Sequence, residues 1–242
     1  VSDSIVLANR SPEKVAKLAD EIGASVADNE TIARECDYIL LGVKPQMMGG
    51  MLARIAPALR QRTTPFVLLS MAAGLTMARI REMAGGDYPV IRIMPNTAVE
   101  VGEGVTMYCC TDNVTEAQRE GFVSLLHLSG LLEEMDEKLL DVGSAVAGCG
   151  GAFACLMMEA LADGGVYAGL PRATAQRYAA QMLLGTAKLA LEKGEHTGAM
   201  KDAICSPGGT TIAGVRVLEQ RGFRAAAMDA VIAAYERTSQ LK

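Results

Sequence analysis

Up to about residue 136, short apolar runs alternate with stretches whose apolar positions recur every three or four residues. The runs are typical of strands, and the recurring spacing is typical of amphipathic helices. Ser11 and Pro12 open the first helical stretch, and Gly23 ends it. The pattern predicts strands at residues 5–7, 24–27, 38–43, 66–69, 89–94, 104–110 and 131–135. It predicts helices at residues 12–22, 29–35, from 45 onward, 76–83 and 115–128.

Strands separated by helices of this length indicate a doubly wound parallel sheet. The run at residues 38–43 is apolar throughout, as in a strand that is buried on both faces. After residue 136 the strand pattern ends, and helices are predicted at residues 137–168, 172–193, 207–220 and 222–240. We therefore expect an α/β dinucleotide-binding domain at residues 1–136 and an all-helical domain at residues 137–242.

Composition narrows the class of protein. Of 242 residues, 50% are hydrophobic and 21% are charged, which favours a folded core over disorder. The net charge of -5 makes nucleic acid a poor partner, because proteins that bind the phosphate backbone are usually basic. The six cysteines form no C-x-x-C pair, and with two histidines no metal site is expected. Without a signal-peptide pattern, we expect a reduced, cytoplasmic protein.

One apolar stretch requires a check for a membrane span. Residues 142–158 carry no charge and approach the roughly 18 residues that such a span needs. The stretch is rich in Gly and Ala and is bounded by Asp141 and Glu159, so we interpret it as a helix in a helical interface, with no membrane partner. Gly150 and Gly151 lie within this helix at a cost of about 1 kcal/mol each. They indicate the close approach of another helix or of a ligand.

Ligands of a doubly wound sheet bind beyond the carboxyl ends of its strands. Asn9, Arg10 and Ser11 follow the first strand, where NAD-binding folds usually carry an acidic residue for the ribose 2′-hydroxyl. An arginine suits a 2′-phosphate instead, which favours NADP. A surface arginine beside a helix-capping serine would produce the same pattern.

The residues after the later strands are further candidates. A lysine within Val43, Lys44 and Pro45 can contact a cofactor phosphate or ribose, or can belong to an ordinary turn. The small residues at 70–74 allow a flat ring to approach closely. Asn96 could orient a carboxamide or a carboxylate, although an Asn beside a Pro is commonly a turn former.

The glycine-rich G-x-G-x-x-G loop of dinucleotide-binding folds has no counterpart in this sequence, which starts where the second strand of the unit is expected. We expect the sequence to be a fragment that lacks the first βα unit, because natural loss of that unit would expose a sheet edge. The loop that binds the cofactor pyrophosphate would then be missing.

In the helical half, residues 206–211 read Ser-Pro-Gly-Gly-Thr-Thr and open a helix. A helix start with small residues presents free N–H groups to an anion, and a carboxylate fits there. The two threonine hydroxyls add neutral donors. A capped, flexible turn would have the same sequence.

Together, these segments resemble the pyrroline-5-carboxylate reductase family in order and spacing, over essentially the whole chain. The matching segments are residues 9–10, 43–45, 92–97, 160–164 and, most specific, 206–211. The resemblance implies reduction of 1-pyrroline-5-carboxylate to L-proline with NADPH, or with NADH, as the last step of proline biosynthesis. It also implies a Rossmann domain and a helical domain that forms an interlocked homodimer, with larger assemblies of dimers. Cys149 and Gly151 depart from the family's Ser and Pro.

On this resemblance we expect the substrate carboxylate at the N–H groups of Gly208, Gly209 and Thr210, and Thr211 as the catalytic residue beside the ring nitrogen. The expected cofactor-binding residues are Asn9, Arg10, Ser11, Val43, Lys44, Pro45 and Asn96.

Two other classes of protein fit parts of the sequence. A β-hydroxyacid-type dehydrogenase tends to carry a catalytic lysine on the long helix, and residues 142–170 contain none. A non-catalytic oligomerising or ligand-binding fragment without a phosphate loop is the second alternative.

Overall fold

The structure is a computed structural model that describes residues 5–240. It divides into a first compact unit, which extends to Ser144 and takes in the end of the last helix from Glu236, and a second unit, Ala145–Tyr235. The strands of the first unit are β1 (Val6–Leu7), β2 (Ser25–Val26), β3 (Tyr38–Leu41), β4 (Val67–Ser70), β5 (Val90–Pro95), β6 (Gly104–Cys110) and β7 (Gly130–Glu134). Its helices are α1 (Pro12–Ile22), α2 (Asn29–Glu35), α3 (Pro45–Gln61), α4 (Met77–Ala84), α5 (Glu116–Leu126) and the start of α6 (Glu137–Tyr167).

The strands form two sheets. β1 and β2 pair in parallel by themselves, and the other five strands pair in the order β3-β4-β5-β6-β7. The predicted parallel sheet has one exception that the sequence analysis did not anticipate, because β5 and β6 run antiparallel. A parallel pair needs a crossover of a dozen or more residues. The link at residues 96–103 is too short for one and holds only the 3-10 turn Thr97–Val101.

Capping side chains explain where three helices of the first unit begin, namely α2, α4 and α5. The Asp28 carboxylate accepts a hydrogen bond of 2.7 Å from the Thr31 N–H, and this bond lowers the pKa of Asp28. Thr76 caps α4 in the same way, and Thr115 forms a reciprocal capping box with Gln118 at α5. Gly23 ends α1 in the left-handed conformation, with a φ of 69°.

Two apolar clusters cover the faces of the larger sheet. One joins β3 and β4 to α3 and α4, and the other joins β4, β5 and β6 to α5, where the rings of Tyr108 and Phe122 lie 5.1 Å apart. The expectation that β3 is buried on both faces is wrong. Ile39 and Leu41 are buried, whereas Leu40 is 55% exposed, because β3 is an edge strand of this sheet.

The second unit is helical and contains the rest of α6, then α7 (Arg172–Lys193), α8 (Thr197–Ile204), α9 (Thr210–Gln220) and most of α10 (Phe223–Ser239). Sequence analysis missed α8, a helix of eight residues that begins after His196, an unusual capping residue. α9 begins at Thr210 rather than at 207, because Pro207 and Gly208 form a turn ahead of it. The hydrophobic residues buried within this unit are few: Ala145, Ala162, Ala175, Ala179 and Met200.

Candidate active site

The carboxyl ends of three neighbouring parallel strands define one edge of the larger sheet. β4 pairs in parallel with β3 on one side and with β5 on the other. The residues that follow these strands therefore lie side by side along this edge, at the strand spacing of about 4.8 Å. The structure thus brings together three predicted elements: Lys44 after β3, the 71–74 loop after β4, and Asn96 after β5.

The segment after β1 is a turn that its own asparagine holds. The Asn9 side-chain oxygen accepts a hydrogen bond of 3.0 Å from the Ser11 N–H. Ser11 occupies the N-cap position of α1, but its side chain makes no capping bond, contrary to what is usual for a serine there. The Arg10 side chain is exposed, so its guanidinium is available to an anion. Hydrogen bonds do not join β1 to the larger sheet, so pairing alone does not bring Arg10 to Lys44.

The loops after β3 and β4 suit an extended, phosphorylated ligand. Lys44 is exposed at the N-cap position of α3, where Pro45 begins the helix, and Val43 beside it is half-buried. The loop after β4 contains the buried Ala72 and turns at Gly74, with a φ of 75°. Exposed cations at two strand ends and a loop without bulky polar groups fit the phosphates and the flat ring of a nicotinamide dinucleotide.

Asn96 has a structural role in the turn after β5. Its side-chain oxygen accepts a hydrogen bond of 3.1 Å from the Val105 N–H, and its own N–H donates to the Val105 carbonyl at 3.2 Å. These bonds tie the end of β5 to the start of β6. The alternative of a turn former is therefore observed in the structure, and any contact with a ligand would be a second role for the same half-buried residue.

A buried ionic cluster lies on the sheet face towards α4 and α6. The Arg92 side chain is 2% exposed, and its Nη2 lies 2.5 Å from Oδ1 of Asp141. Its Nη1 lies 3.5 Å from Oε1 of Glu137, which also accepts a hydrogen bond of 2.6 Å from the Met77 N–H. Sequence analysis treated Arg92 only as part of a motif. The available signal was a charged residue in the middle of a strand with apolar neighbours on both sides.

In the second unit, residues 206–211 form a turn and then a helix start. Gly208 has a φ of 69°, and the Gly209 N–H donates a hydrogen bond of 3.0 Å to the Ser206 carbonyl. A Cβ on Gly209 would lie 2.4 Å from the Ser206 Oγ, so a larger residue there would require the Ser206 side chain to move. The N–H of Gly209, one of the expected donors, is thus engaged within the turn in this structure. The first N–H groups of a helix lack partners within it, and in α9 these include those of Thr210 and Thr211.

α6 passes through Gly150 and Gly151 without a break. Within residues 145–235, a Cβ on either glycine would meet no atom within 4 Å beyond the backbone of its own helix, so the predicted close approach is not made inside this unit. Among the described residues, α6 is the helix long and apolar enough to cross a membrane, with 11% of its most apolar window buried. A single such helix is weak support for a membrane span, because core helices pass the same test. The same residues hold no cluster of three or more side chains suited to a metal ion.

Comparison with known proteins bears on both parts of the chain. Residues 137–241 match the family described as pyrroline-5-carboxylate reductase dimerisation, and residues 2–74 match NADP oxidoreductase coenzyme F420-dependent. A pyrroline-5-carboxylate reductase of Synechocystis sp. is 44% identical over 214 residues, which cover 88% of this chain and 78% of that protein. The chain belongs to the pyrroline-5-carboxylate reductase family.

Other members of the pyrroline-5-carboxylate reductase family agree with this assignment. The protein of Escherichia coli K12 is 38% identical over 232 residues, which cover 96% of this chain and 85% of that protein. The crystal structure of Plasmodium falciparum pyrroline carboxylate reductase with NADP bound is 33% identical, with a TM-score of 0.82 over 90% of this chain and 84% of that one. The predicted family and the predicted fold class, a Rossmann-type sheet and a helical dimerisation domain, are confirmed.

Proposed function

We propose that this chain reduces 1-pyrroline-5-carboxylate to L-proline at the expense of NADPH, as the last step of proline biosynthesis. The observation that carries the proposal is the family membership, at 44% identity over most of the chain. Its chemical complement is the start of α9, where residues 206–211 offer N–H groups and hydroxyls to a small carboxylate.

The cofactor would lie along the carboxyl edge of the sheet. Arg10 would bind the 2′-phosphate through its exposed guanidinium, which favours NADPH over NADH, while Asn9 holds the turn and Ser11 begins α1. Lys44, between Val43 and Pro45, would contact a phosphate or ribose. Asn96 would face the nicotinamide end from the tip of β5. The bound dinucleotide supplies the hydride for the imine carbon.

The substrate carboxylate would sit at the start of α9. With the Gly209 N–H engaged by Ser206, the N–H groups of Thr210 and Thr211 are the main donors, and Gly208 and Gly209 keep the approach free of side chains. The Thr211 hydroxyl would bond the ring nitrogen and orient the imine. Fixing both partners in this way supplies much of the rate, because a bimolecular reaction becomes effectively intramolecular.

Thr211→Ala tests this assignment against a matched control. We expect kcat/KM for 1-pyrroline-5-carboxylate to fall about 10- to 100-fold, because a hydrogen bond to a charged group contributes about 1.5–3 kcal/mol and each 1.36 kcal/mol is about tenfold in rate. Thr197→Ala, at the exposed start of α8, removes the same hydroxyl from the first turn of another helix and should leave kcat/KM unchanged. If kcat/KM were the same in both variants, with unchanged circular dichroism, Thr211 would have no role in the reaction.

We further propose that residues 1–136 and 137–242 are the two domains, and that the second domain forms a homodimer and larger assemblies of dimers. Its large side chains are widely exposed, Leu156 at 68% and Met228 at 60% among them, while its own core is small. An apolar pocket of about 260 Å³ on α6 and α7 would also be covered by a second copy. Light scattering should give at least a dimer, and a monomer with full activity would contradict this assembly.

A cytoplasmic location without membrane contact completes the proposal. All six cysteines are free, as expected of a protein kept under reducing conditions. The apolar surface of α6 would be covered by a second copy rather than by lipid.

A further inference from the structure

The burial of the charged Arg92 side chain costs desolvation free energy. The side chain is 2% exposed in the middle of β5, and among residues 5–240 its Nε has no hydrogen-bond partner. A buried ion pair often contributes no more stability than apolar residues of the same volume. The cluster is therefore better explained by the geometry it imposes than by stability.

The Arg92 cluster connects the ends of β4 and β6 with the start of α4. Arg92 pairs in register with Ser70, the last residue of β4, and with Cys109 of β6. Its carboxylate partner Glu137 accepts the N–H of Met77, the first residue of α4. The sulfur of Met77 in turn lies 3.8 Å from the Cys109 Sγ. Met77 is thus held by its backbone and by its side chain.

Met77 immediately follows the loop that connects β4 to α4. Residues 71–76 connect β4 to α4, and their course is held at the β4 end by the buried Ser70 and Ala72. At the α4 end the loop is fastened by the Glu137 carboxylate, which lies at the start of α4, where a negative charge is favoured. Arg92 holds that carboxylate in place from the sheet.

We propose that Arg92 is a positioning residue which, through Glu137, holds the 71–76 loop in the conformation that receives the nicotinamide end of the dinucleotide. The inference rests on the proposed function for the identity of the cofactor. In this role neither Arg92 nor Glu137 is assigned a contact with the substrate. Their loss therefore weakens cofactor binding, because the loop must then be ordered on binding, and leaves substrate affinity unchanged.

The test compares NADPH affinity in variants of the cluster. Glu137→Ala removes the acceptor of the Met77 N–H, and we expect the Kd for NADPH, measured by calorimetry, to rise about tenfold. Glu137→Gln keeps an acceptor and should restore most of that affinity. Arg92→Met should also raise the Kd for NADPH. If Arg92→Met does not fold, the test rests on the Glu137 variants, because the Glu137 side chain is 28% exposed and its replacement should leave the protein folded.

Two further measurements separate positioning from general destabilisation. Hydrogen exchange at residues 71–77 should speed up in Glu137→Ala, and the KM for 1-pyrroline-5-carboxylate at saturating NADPH should stay within about twofold of wild type. Arg62→Lys is the control. It weakens the contacts of another buried guanidinium, which lies before β4 at the opposite end of that strand, and it should leave the Kd for NADPH unchanged.

Each outcome has a defined meaning. An unchanged Kd in Glu137→Ala overturns the inference, whether or not exchange at 71–77 rises. A Kd that rises equally in Arg62→Lys also overturns it. Wild-type protein that binds NADPH but does not reduce 1-pyrroline-5-carboxylate contradicts the proposed function alone, whereas wild-type protein that binds no dinucleotide contradicts both.

Discussion

Arg62 joins three parts of the first unit, and its removal is the sharpest stability prediction. Its side chain, 2% exposed, extends from the end of α3. The guanidinium donates to the Cys36 carbonyl at 2.6 Å and the Ala33 carbonyl at 3.2 Å, at the end of α2. It also donates to Pro65 at 3.1 Å and lies 4.9 Å from the centre of the Phe66 ring, just before β4. Arg62→Ala therefore removes a donor from three carbonyls at once.

The expected loss follows from these contacts. A hydrogen bond to a charged group contributes about 1.5–3 kcal/mol, and a cation over an aromatic ring about 1 kcal/mol. The contributions do not add, because water reaches the freed carbonyls at the end of α2. The ion pair with Asp37, 3.9 Å away and 82% exposed, adds close to nothing. We therefore expect Arg62→Ala to lower the free energy of unfolding by about 3–4 kcal/mol.

Urea unfolding measures this loss, and all variants are compared at one fixed protein concentration because the proposed self-association would make the midpoint depend on concentration. The matched control is Arg54→Ala, also on α3, whose exposed side chain should change stability by less than about 0.5 kcal/mol. A loss below about 1 kcal/mol for Arg62→Ala, with the same m-value as wild type, would show that these contacts do not stabilise the unit as reasoned.

Two further predictions concern a glycine and two thiols. A Cβ on Gly130 (φ of 123°) would lie 2.2 Å from the Gly104 carbonyl oxygen, so Gly130→Ala should cost more than about 3 kcal/mol in urea unfolding. Gly194→Ala, at a φ of 61° in open space, should cost only about 1–2 kcal/mol, and equal losses would contradict the steric argument. Burial raises the pKa of Cys109 to about 12 and that of Cys110 to about 11, from 9.0, so these thiols stay protonated in the folded protein where they ionise in the unfolded chain. Stability should therefore fall as the pH rises above 9, and the fall should be smaller in the Cys109→Ala, Cys110→Ala double variant; an identical pH profile would refute this.

Local signals in the sequence predicted much of the first unit. Helix α2 has the predicted limits because Asp28 and Thr31 define its start within four residues. Gly23 and Gly169 end helices for the same local reason, a left-handed or otherwise positive φ that glycine adopts readily. Such signals act over a few residues, so they depend less on the rest of the fold than long-range contacts do.

Features that depend on contacts between distant parts of the chain could not be predicted from the sequence. Arg92 and Asp141 are 49 residues apart, and no spacing rule connects a strand residue to a helix so distant. The exposure of Leu40 depends on the position of β3 at a sheet edge, which the apolar run does not reveal. In the candidate site, the helix start at residues 206–211 was predicted, but the loss of the Gly209 N–H to Ser206 follows only from the turn geometry.

The antiparallel pairing of β5 and β6 has a consequence for the order of folding. Pro95 pairs with Thr106 across a short link, whereas Tyr38 pairs with Val67 only after the whole of α3 has been placed between them. Closing a short loop costs less entropy, so this hairpin is the pairing that forms first. Substitutions in residues 96–103 should then slow refolding, while those that loosen the β3–β4 pair should mainly speed unfolding.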